Sequence, residues 1–199
     1  MILNDTEEAD VIKEFLNMGM GRAAGVLHRL LGKHITIIPP EFIVARGKII
    51  LSREEKTVSY AIHQTFKGEL SGFGVLLFEA GSGQRLGKLV AQHAGDENIS
   101  EDELKDVVQE VGNNTINAIA GTVVNQIRNK VTFDPPQLKV GYYKDILFPT
   151  LDGCEKIVLG KTGFVVNDFN IDGSLILGFS SESYDLFIDI VKNLIKEVA

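Results

Sequence analysis

The chain has 199 residues, a formal net charge of −7, 44% hydrophobic residues and 24% charged residues. This balance is typical of a globular protein with its own hydrophobic core, and the negative charge argues against nonspecific binding to the phosphate backbone of nucleic acids. Cys154 is the only cysteine, so an internal disulfide is excluded and a reducing compartment is expected.

The N-terminal sequence does not favour a targeting signal. Residues Met1–Glu8 become acidic at once and lack the basic segment and apolar core of a signal peptide. No apolar run approaches the roughly 18 residues that a bilayer-spanning helix needs. No dense run of Lys and Arg marks a nucleic-acid or membrane-surface patch. We therefore expect a cytoplasmic protein that neither inserts into a membrane nor binds nucleic acid.

The first predicted element is a long amphipathic helix that starts near Asn4 to Thr6 and stops at Gly32. Gly19, Gly21 and Gly25 lie inside it, and each glycine costs about 1 kcal/mol relative to alanine in a helix. A gain in packing has to offset that cost. We therefore expect another helix or the underlying sheet to approach closely at these positions.

The remaining elements fall into two similar series. The first series consists of strand patterns that are separated by turn residues, and a short helix closes it. The predicted strands are His34 to Ile38 before Pro39-Pro40, Phe42 to Ala45, Lys48 to Leu51, Val58 to Phe66 and Phe73 to Phe78, and the helix is Gln84 to His93. Ser100 and Glu103 then form a capping box that opens a second long helix, which reaches about Asn129. The later strands and the last helix are predicted near Ile146, Lys156 to Leu159, Gly163 to Val166, Leu175 to Phe179 and, for the helix, Tyr184 to Glu197.

A shift of 96 positions aligns the beginnings of the two series, including the proline pairs Pro39-Pro40 and Pro135-Pro136. The connection between the series is short and polar, so we expect the two copies to share one sheet and one core. We infer a single domain over residues 1–199, made of two repeats at about 4–95 and about 100–199. Strands that are joined by short turns predict a mainly antiparallel sheet and an α+β fold.

Both long helices carry the pattern Asp-x3-Glu-x2-Asn, and residues at i, i+4 and i+7 lie on one face of a helix. A solvated face explains one such polar stripe. Two such stripes at corresponding positions favour a function. Asparagine is a mediocre helix former, and a helix face that only has to be solvated does not require it. An amide beside a carboxylate can orient a water while the carboxylate binds a cation on a partner. The first stripe consists of Asp10, Glu14 and Asn17, and the second stripe of Asp106, Glu110 and Asn113.

Other motifs lack the context that their chemistry needs. Gly160-Lys161-Thr162 is similar to the end of a P-loop, but Glu155 occupies a position that requires glycine. The run Gly19–Ala24 matches a dinucleotide fingerprint, yet it lies inside a helix pattern and not after a strand. The four histidines lack the spacing of a zinc site, and no Gly-x-Ser-x-Gly nucleophile elbow occurs. We expect no metal site and no cofactor of the chain's own.

The residues of the two stripes make the chain resemble the CheC family of chemotaxis phosphatases. This family also includes CheX and the phosphatase part of the flagellar switch protein FliY. The resemblance covers nearly the whole chain. It implies two long helices that lie side by side, roughly parallel, on one face of the sheet and are related by an internal pseudo-twofold axis. The family pattern Asp/Ser-x3-Glu-x2-Asn-x22-Pro is matched twice, by Asp10, Glu14, Asn17 and Pro40 and by Asp106, Glu110, Asn113 and Pro136.

The resemblance also implies a substrate, the phosphoaspartate of a CheY-like response regulator. Asn17 and Asn113 are then expected to position the water that attacks phosphorus. Glu14 and Glu110 are expected to pair with the active-site lysine of the partner. The Mg²⁺ ion of the reaction is expected in the response regulator and not in this chain.

The other matched residues have supporting roles in this interpretation. Asp10 and Asp106 hold the helix face or touch the rim of the partner, while Pro40 and Pro136 end a strand and fix its geometry. One position departs from the family, in which glycine usually precedes the asparagine: Gly112 fits, whereas Leu16 does not. We expect Leu16 to limit how closely a partner approaches Asn17, which makes the first stripe the weaker site.

Two alternatives remain open at this point. The same surface suits a non-catalytic adaptor in chemotaxis or flagellar switch signalling, which docks a response regulator or a CheD-like deamidase without turnover. The second alternative is a role in the motor switch. The second repeat reaches nearly to Ala199, so we expect no additional switch domain, which argues against this alternative. Because one chain carries both copies of the stripe, we expect a monomer.

Overall fold

Along its described part the chain runs from a long helix through three strands to two successive helices, and then through four strands to a last helix. The computed structural model describes residues 7–45, 58–96, 98–142, 145–146 and 157–198. Its helices are α1 (Glu7–Leu31), α2 (Ala80–His93), α3 (Glu101–Gln126) and α4 (Ser181–Val198). Its strands are β1 (Thr36–Ala45), β2 (Val58–Gly68), β3 (Gly72–Glu79), β4 (Val131–Phe133), β5 (Gln137–Tyr142), β6 (Ile157–Val166) and β7 (Ile171–Phe179).

All seven strands form one sheet in the order β1-β6-β7-β3-β2-β4, and β5 also pairs with β2. Every pairing between them is antiparallel. Strands from the first half therefore pair with strands from the second at both sides of the sheet. The predicted α+β class with a mainly antiparallel sheet is confirmed.

The pairing registers at the two sides of the sheet correspond to each other. One irregularity separates two stretches of regular pairing on each side, at Pro39-Pro40 and at Pro135-Pro136. A duplicated chain would give this arrangement; the internal repeat itself stays a prediction. The corresponding pairs are Thr36 with Val165 and Thr132 with Lys67 before the prolines, and Glu41 with Lys161 and Gln137 with His63 after them.

The two long helices pack against each other: α1 also lies over β1 and β6, and α3 over β2 and β3. Glycine makes this packing possible at two positions on α1 and α3. A Cβ atom on Gly19 would lie 3.1 Å from the backbone of Ile119, and one on Gly112 would lie 2.5 Å from the side chain of Ile62. The close approach expected for Gly19 is confirmed. It is wrong for Gly21 and Gly25, where a Cβ would meet nothing or only the end of an arginine at 3.8 Å.

The end of α1 and the start of α3 agree with their sequence signals, whereas α3 ends at Gln126, three residues before the predicted Asn129. Ser100 and Glu103 form the predicted capping box at the start of α3. Gly32 follows α1 with φ +63°, a left-handed conformation that glycine adopts at little cost. A side chain at Gly32 would also meet the ring of His93 at 2.6 Å. The predicted start of α1 near Asn4 to Thr6 lies outside the described residues.

Several predicted element bounds are wrong. β1 continues through Pro39-Pro40, because an edge strand tolerates proline at an irregularity in its pairing. β6 joins two predicted strands into Ile157–Val166, because its pairing with β7 is continuous across Gly160 to Thr162. Strand β5 was not predicted, although apolar side chains alternate along it. Residues 145 and 146 are helical, so the strand predicted near Ile146 is wrong, and α2 begins four residues before the predicted Gln84. The strand predicted at Lys48 to Leu51 lies outside the described residues.

Candidate functional site

The first stripe lies on the outer face of α1. Asp10, Glu14 and Asn17 are exposed, whereas Ile12 and Leu16 on the opposite face are buried in the core. Asp10 accepts an ion-pair contact from Lys13 at 3.5 Å. Asn17 and Glu14 have no hydrogen-bond partner among the residues that the structure describes. The first stripe is therefore an open polar surface with little internal order.

The second stripe lies on α3 and is internally bonded. Asp106 and Glu110 are exposed and Asn113 is half-buried. The Glu110 carboxylate accepts from Nδ2 of Asn114 at 2.8 Å through Oε1, and from Nδ2 of Asn113 at 3.4 Å through Oε2. The structure thus brings Glu110 and Asn113 together, as the sequence predicts. Within the described part of the chain, no hydrogen bond or ion pair joins the two stripes.

A buried glutamine fixes the Asn113 amide from below. Gln64 on β2 is 2% exposed, and its Nε2 donates to Oδ1 of Asn113 at 3.0 Å and to the Asp134 carbonyl oxygen at 3.0 Å. Nδ2 of Asn117, one turn further along α3, donates to the same Asn113 oxygen at 3.0 Å. The oxygen of Asn113 is therefore occupied, and its amino group is directed at Glu110.

The turn Asp134-Pro135-Pro136 supplies the carbonyl group that holds Gln64. Strand β4 ends at Phe133 and β5 begins at Gln137, so a strand ends before this proline pair, and the pairing with β2 resumes after Pro136 in a new strand. The Asp134 backbone N–H donates to the Thr65 backbone carbonyl oxygen at 2.9 Å. Hydrogen bonds from Lys67 and from the Thr65 hydroxyl keep the pKa of the Asp134 carboxyl below its usual value. These contacts fix the turn on β2.

Pro40 has a different setting from Pro136. It lies inside β1, between Ile38 and Glu41, where the pairing with β6 shifts. The prediction that this proline ends a strand is wrong, because β1 resumes its pairing beyond it.

Comparison with known proteins finds one partial family match and several similar folds. The model of the CheC-like family matches residues 7–44, which include the whole first stripe. The fold is similar to that of FliY from Thermotoga maritima, with 19% identity and a TM-score of 0.71 over 94% of this chain and 96% of that chain. It is also similar to a chain of the CheX-CheY-BeF3-Mg²⁺ complex from Borrelia burgdorferi, with 18% identity and a TM-score of 0.53 over 85% and 99%.

The chain thus matches the CheC-like family over residues 7–44, and over most of its length it shares the fold of these proteins. The middle domain of FliM from H. pylori has a similar fold as well, with 8% identity and a TM-score of 0.64 over 94% of this chain and 99% of that chain. No curated protein gives a significant sequence match to the chain.

The residue before the asparagine of each stripe is buried and does not lie on the exposed surface. Leu16 is 2% exposed and belongs to the hydrophobic core, and Gly112 is buried against Ile62 of β2. The expectation that Leu16 obstructs access to Asn17 is therefore wrong. This position sets the packing of each helix on the protein interior.

Three residues that contact the second stripe were missed by the sequence analysis. Asn114 and Asn117 carried a usable signal, since they lie one and four positions after Asn113 on the same helix. Gln64 carried none, because it precedes Asn113 by 49 positions and only the fold brings them together.

The described residues contain no group of three or more His, Cys, Asp or Glu side chains that could hold a metal ion. None of the helices that are described is long and apolar enough to cross a membrane.

Proposed function

We propose that this protein hydrolyses the phosphoaspartate of a CheY-like response regulator by positioning the attacking water. The observation that carries the proposal is the exposed pairing of Glu110 with Asn113 on α3, with the same residue types exposed at Glu14 and Asn17 on α1. The CheX relative in complex with CheY, BeF3 and Mg²⁺ supports the choice of partner, because a protein of the same fold binds a CheY protein there.

The chemistry asks little of this chain beyond position. An acyl phosphate is hydrolysed by in-line attack of water on phosphorus, and catalysis of such transfers rests on positioning and electrostatics. The response regulator would supply Mg²⁺ and a lysine beside the phosphoryl group. Because two donors occupy the Asn113 oxygen, its amino group is what remains to hold the water or a phosphoryl oxygen.

The glutamates and aspartates of the stripes have separate roles in this proposal. Glu110 and Glu14 pair with the lysine of the partner and set the register of docking, since a charge-assisted hydrogen bond is short and directional. Asp106 and Asp10 lie one turn earlier on the same exposed faces. They contact the rim of the partner and not the reacting atoms.

Turnover is the direct test of this function. The protein is added at one-hundredth of the concentration of a phosphorylated CheY-like receiver domain, and the phosphoryl lifetime is followed by loss of radiolabel. We expect the lifetime to shorten at this ratio, because one molecule serves many receivers. A lifetime that changes only at equimolar protein would reject the phosphatase.

A non-catalytic adaptor is the second candidate function. The similarity to the FliM middle domain favours it, because this fold also occurs in a protein of the FliM type. Such an adaptor would bind a response regulator or a CheD-like deamidase through the same helices. Binding without turnover in the experiment above is its signature. A cytoplasmic location and a monomeric state remain part of both proposals.

A further inference from the structure

We propose that Gln64 is the positioning residue of the second stripe and that it sets which group of Asn113 faces the partner. This inference rests on the function proposed above for that stripe. It concerns a side chain of the sheet that is almost fully buried and that no partner can touch.

The orientation of the Gln64 amide follows from a group of known chemistry. Its Nε2 donates to the Asp134 backbone carbonyl, which can only accept, so this end of the side chain is the nitrogen. The second hydrogen of the same nitrogen then reaches Asn113 at 3.0 Å. A donor requires an acceptor opposite it, so the oxygen of Asn113 faces Gln64.

The consequence appears on the outer side of Asn113. Its oxygen also accepts from Asn117, so both lone pairs are engaged. Its Nδ2 points towards the Glu110 carboxylate at 3.4 Å. The second stripe therefore offers an N–H donor beside a carboxylate, in an orientation that is set before any partner binds.

Pro135-Pro136 explains why the anchor exists. Proline has no backbone N–H, so the two prolines interrupt the pairing of this segment with β2 between Phe133 and Gln137. The Asp134 carbonyl at this interruption accepts from the side chain of Gln64. A proline 23 positions after Asn113 thus builds the turn that, through Gln64, orients that asparagine.

The first stripe lacks this arrangement on its own helix. The positions that correspond to Asn114 and Asn117, 96 residues earlier, are Met18 and Gly21, and neither carries an amide. Asn17 has no partner within the described ranges, so its amide has to be ordered when a response regulator docks.

The test measures kcat and KM for dephosphorylation of a phosphorylated CheY-like receiver by the full chain carrying Asn17→Ala, in which only the second stripe acts. Gln64→Met keeps the length of the side chain and removes both N–H donors. We expect kcat to fall about tenfold, since a misplaced catalytic group costs one to two orders of magnitude. We expect KM to change by less than about twofold, because the substituted side chain is buried. An unchanged kcat overturns the proposal.

Gln109→Met is the matched control. Oε1 of Gln109 accepts from the Leu138 backbone N–H at 2.9 Å, so it is another glutamine link between α3 and the sheet, but it does not touch Asn113. We expect this variant to keep its kcat. A loss as large as that of Gln64→Met would mark general damage to the helix and overturn the proposal. If Gln64→Met does not fold, Gln64→Leu removes the same two donors with another apolar side chain, and an unchanged kcat in that variant overturns the proposal in the same way.

A second readout does not depend on catalysis. The side-chain amide of Asn113 is followed by ¹⁵N NMR in the wild-type chain and in Gln64→Met. We expect its N–H signals to shift and to exchange faster with water in the variant; unaltered signals overturn the positioning role. Full activity of an Asn17→Ala/Asn113→Ala chain would refute the proposed function instead, and the NMR result would then decide the positioning role alone.

Discussion

The two polar stripes contain the same residues but have different surroundings. On α3, a buried glutamine and two neighbouring amides fix Asn113 and Glu110. On α1, Asn17 and Glu14 are exposed and unbonded within the described part of the chain. A repeated motif therefore does not by itself repeat a prepared site. The residues beneath and beside the motif decide whether its side chains are ordered before a partner arrives.

The residue before each asparagine shows the same lesson for packing. Leu16 fills the core, whereas Gly112 leaves room for Ile62 of β2. The two positions correspond in sequence, yet each is adapted to its own side of the interior.

The largest expected effect comes from exchanging these packing residues for alanine. Leu16→Ala removes a buried side chain and is expected to lower the free energy of unfolding by about 2–5 kcal/mol. Gly112→Ala places a Cβ 2.5 Å from Ile62, and the overpacking is expected to cost about 1–3 kcal/mol although alanine is the better helix former. Urea denaturation of both variants checks the prediction. A Gly112→Ala variant as stable as the wild type would contradict the packing account.

The next effect separates the catalytic contributions of the stripes. Because Asn113 is ordered in advance, we expect Asn113→Ala to lower kcat about tenfold and Asn17→Ala to lower it by less than about twofold. Steady-state dephosphorylation of a phosphorylated receiver gives both values. Equal losses would show that the order around Asn113 has no catalytic value.

A smaller effect is expected from giving the first stripe one of the amides that it lacks. A side chain at Gly21 meets nothing within 4 Å, and Gly21→Asn places an amide one turn after Asn17. In an Asn113→Ala chain we expect Gly21→Asn to raise kcat about threefold over Gly21→Ala, since the new donor restricts Asn17. Gly21→Ala is the control for helix propensity. Identical kcat values for the two variants would weaken the role assigned to Asn117.

The smallest effect concerns pH and the strand beneath the second stripe. Burial, and then the charge of Lys139, lower the pKa of His63 below its ordinary value of 6.5. The unfolded chain then binds this proton more readily than the folded chain. Stability is therefore complete above pH 6.5 and is lost as pH falls through the lowered pKa. His63→Gln should flatten this part of the stability profile between pH 7 and pH 5, which thermal unfolding at several pH values would measure; a profile identical to the wild type would contradict it.

The sequence predicted the exposed stripes because their spacing follows the helix period, and it predicted the start of α3 because Ser100 and Glu103 cap it locally. These features depend on neighbours within a few residues. The order around Asn113 depends on Gln64, which lies on another element, so no local pattern could indicate it. The prolines were expected to end a strand, but pairing resumes beyond both proline pairs, within β1 on one side of the sheet and in β5 on the other. Whether the pairing resumes depends on the partner strand, which the sequence around the prolines does not show.

The most direct measurement is the dephosphorylation rate of a phosphorylated CheY-like receiver in the presence of the Asn17→Ala/Asn113→Ala chain. If the two amides place the attacking water, the receiver should lose its phosphoryl group no faster than it does alone, while the variant keeps its fold. A double variant that works at the wild-type rate would contradict this account.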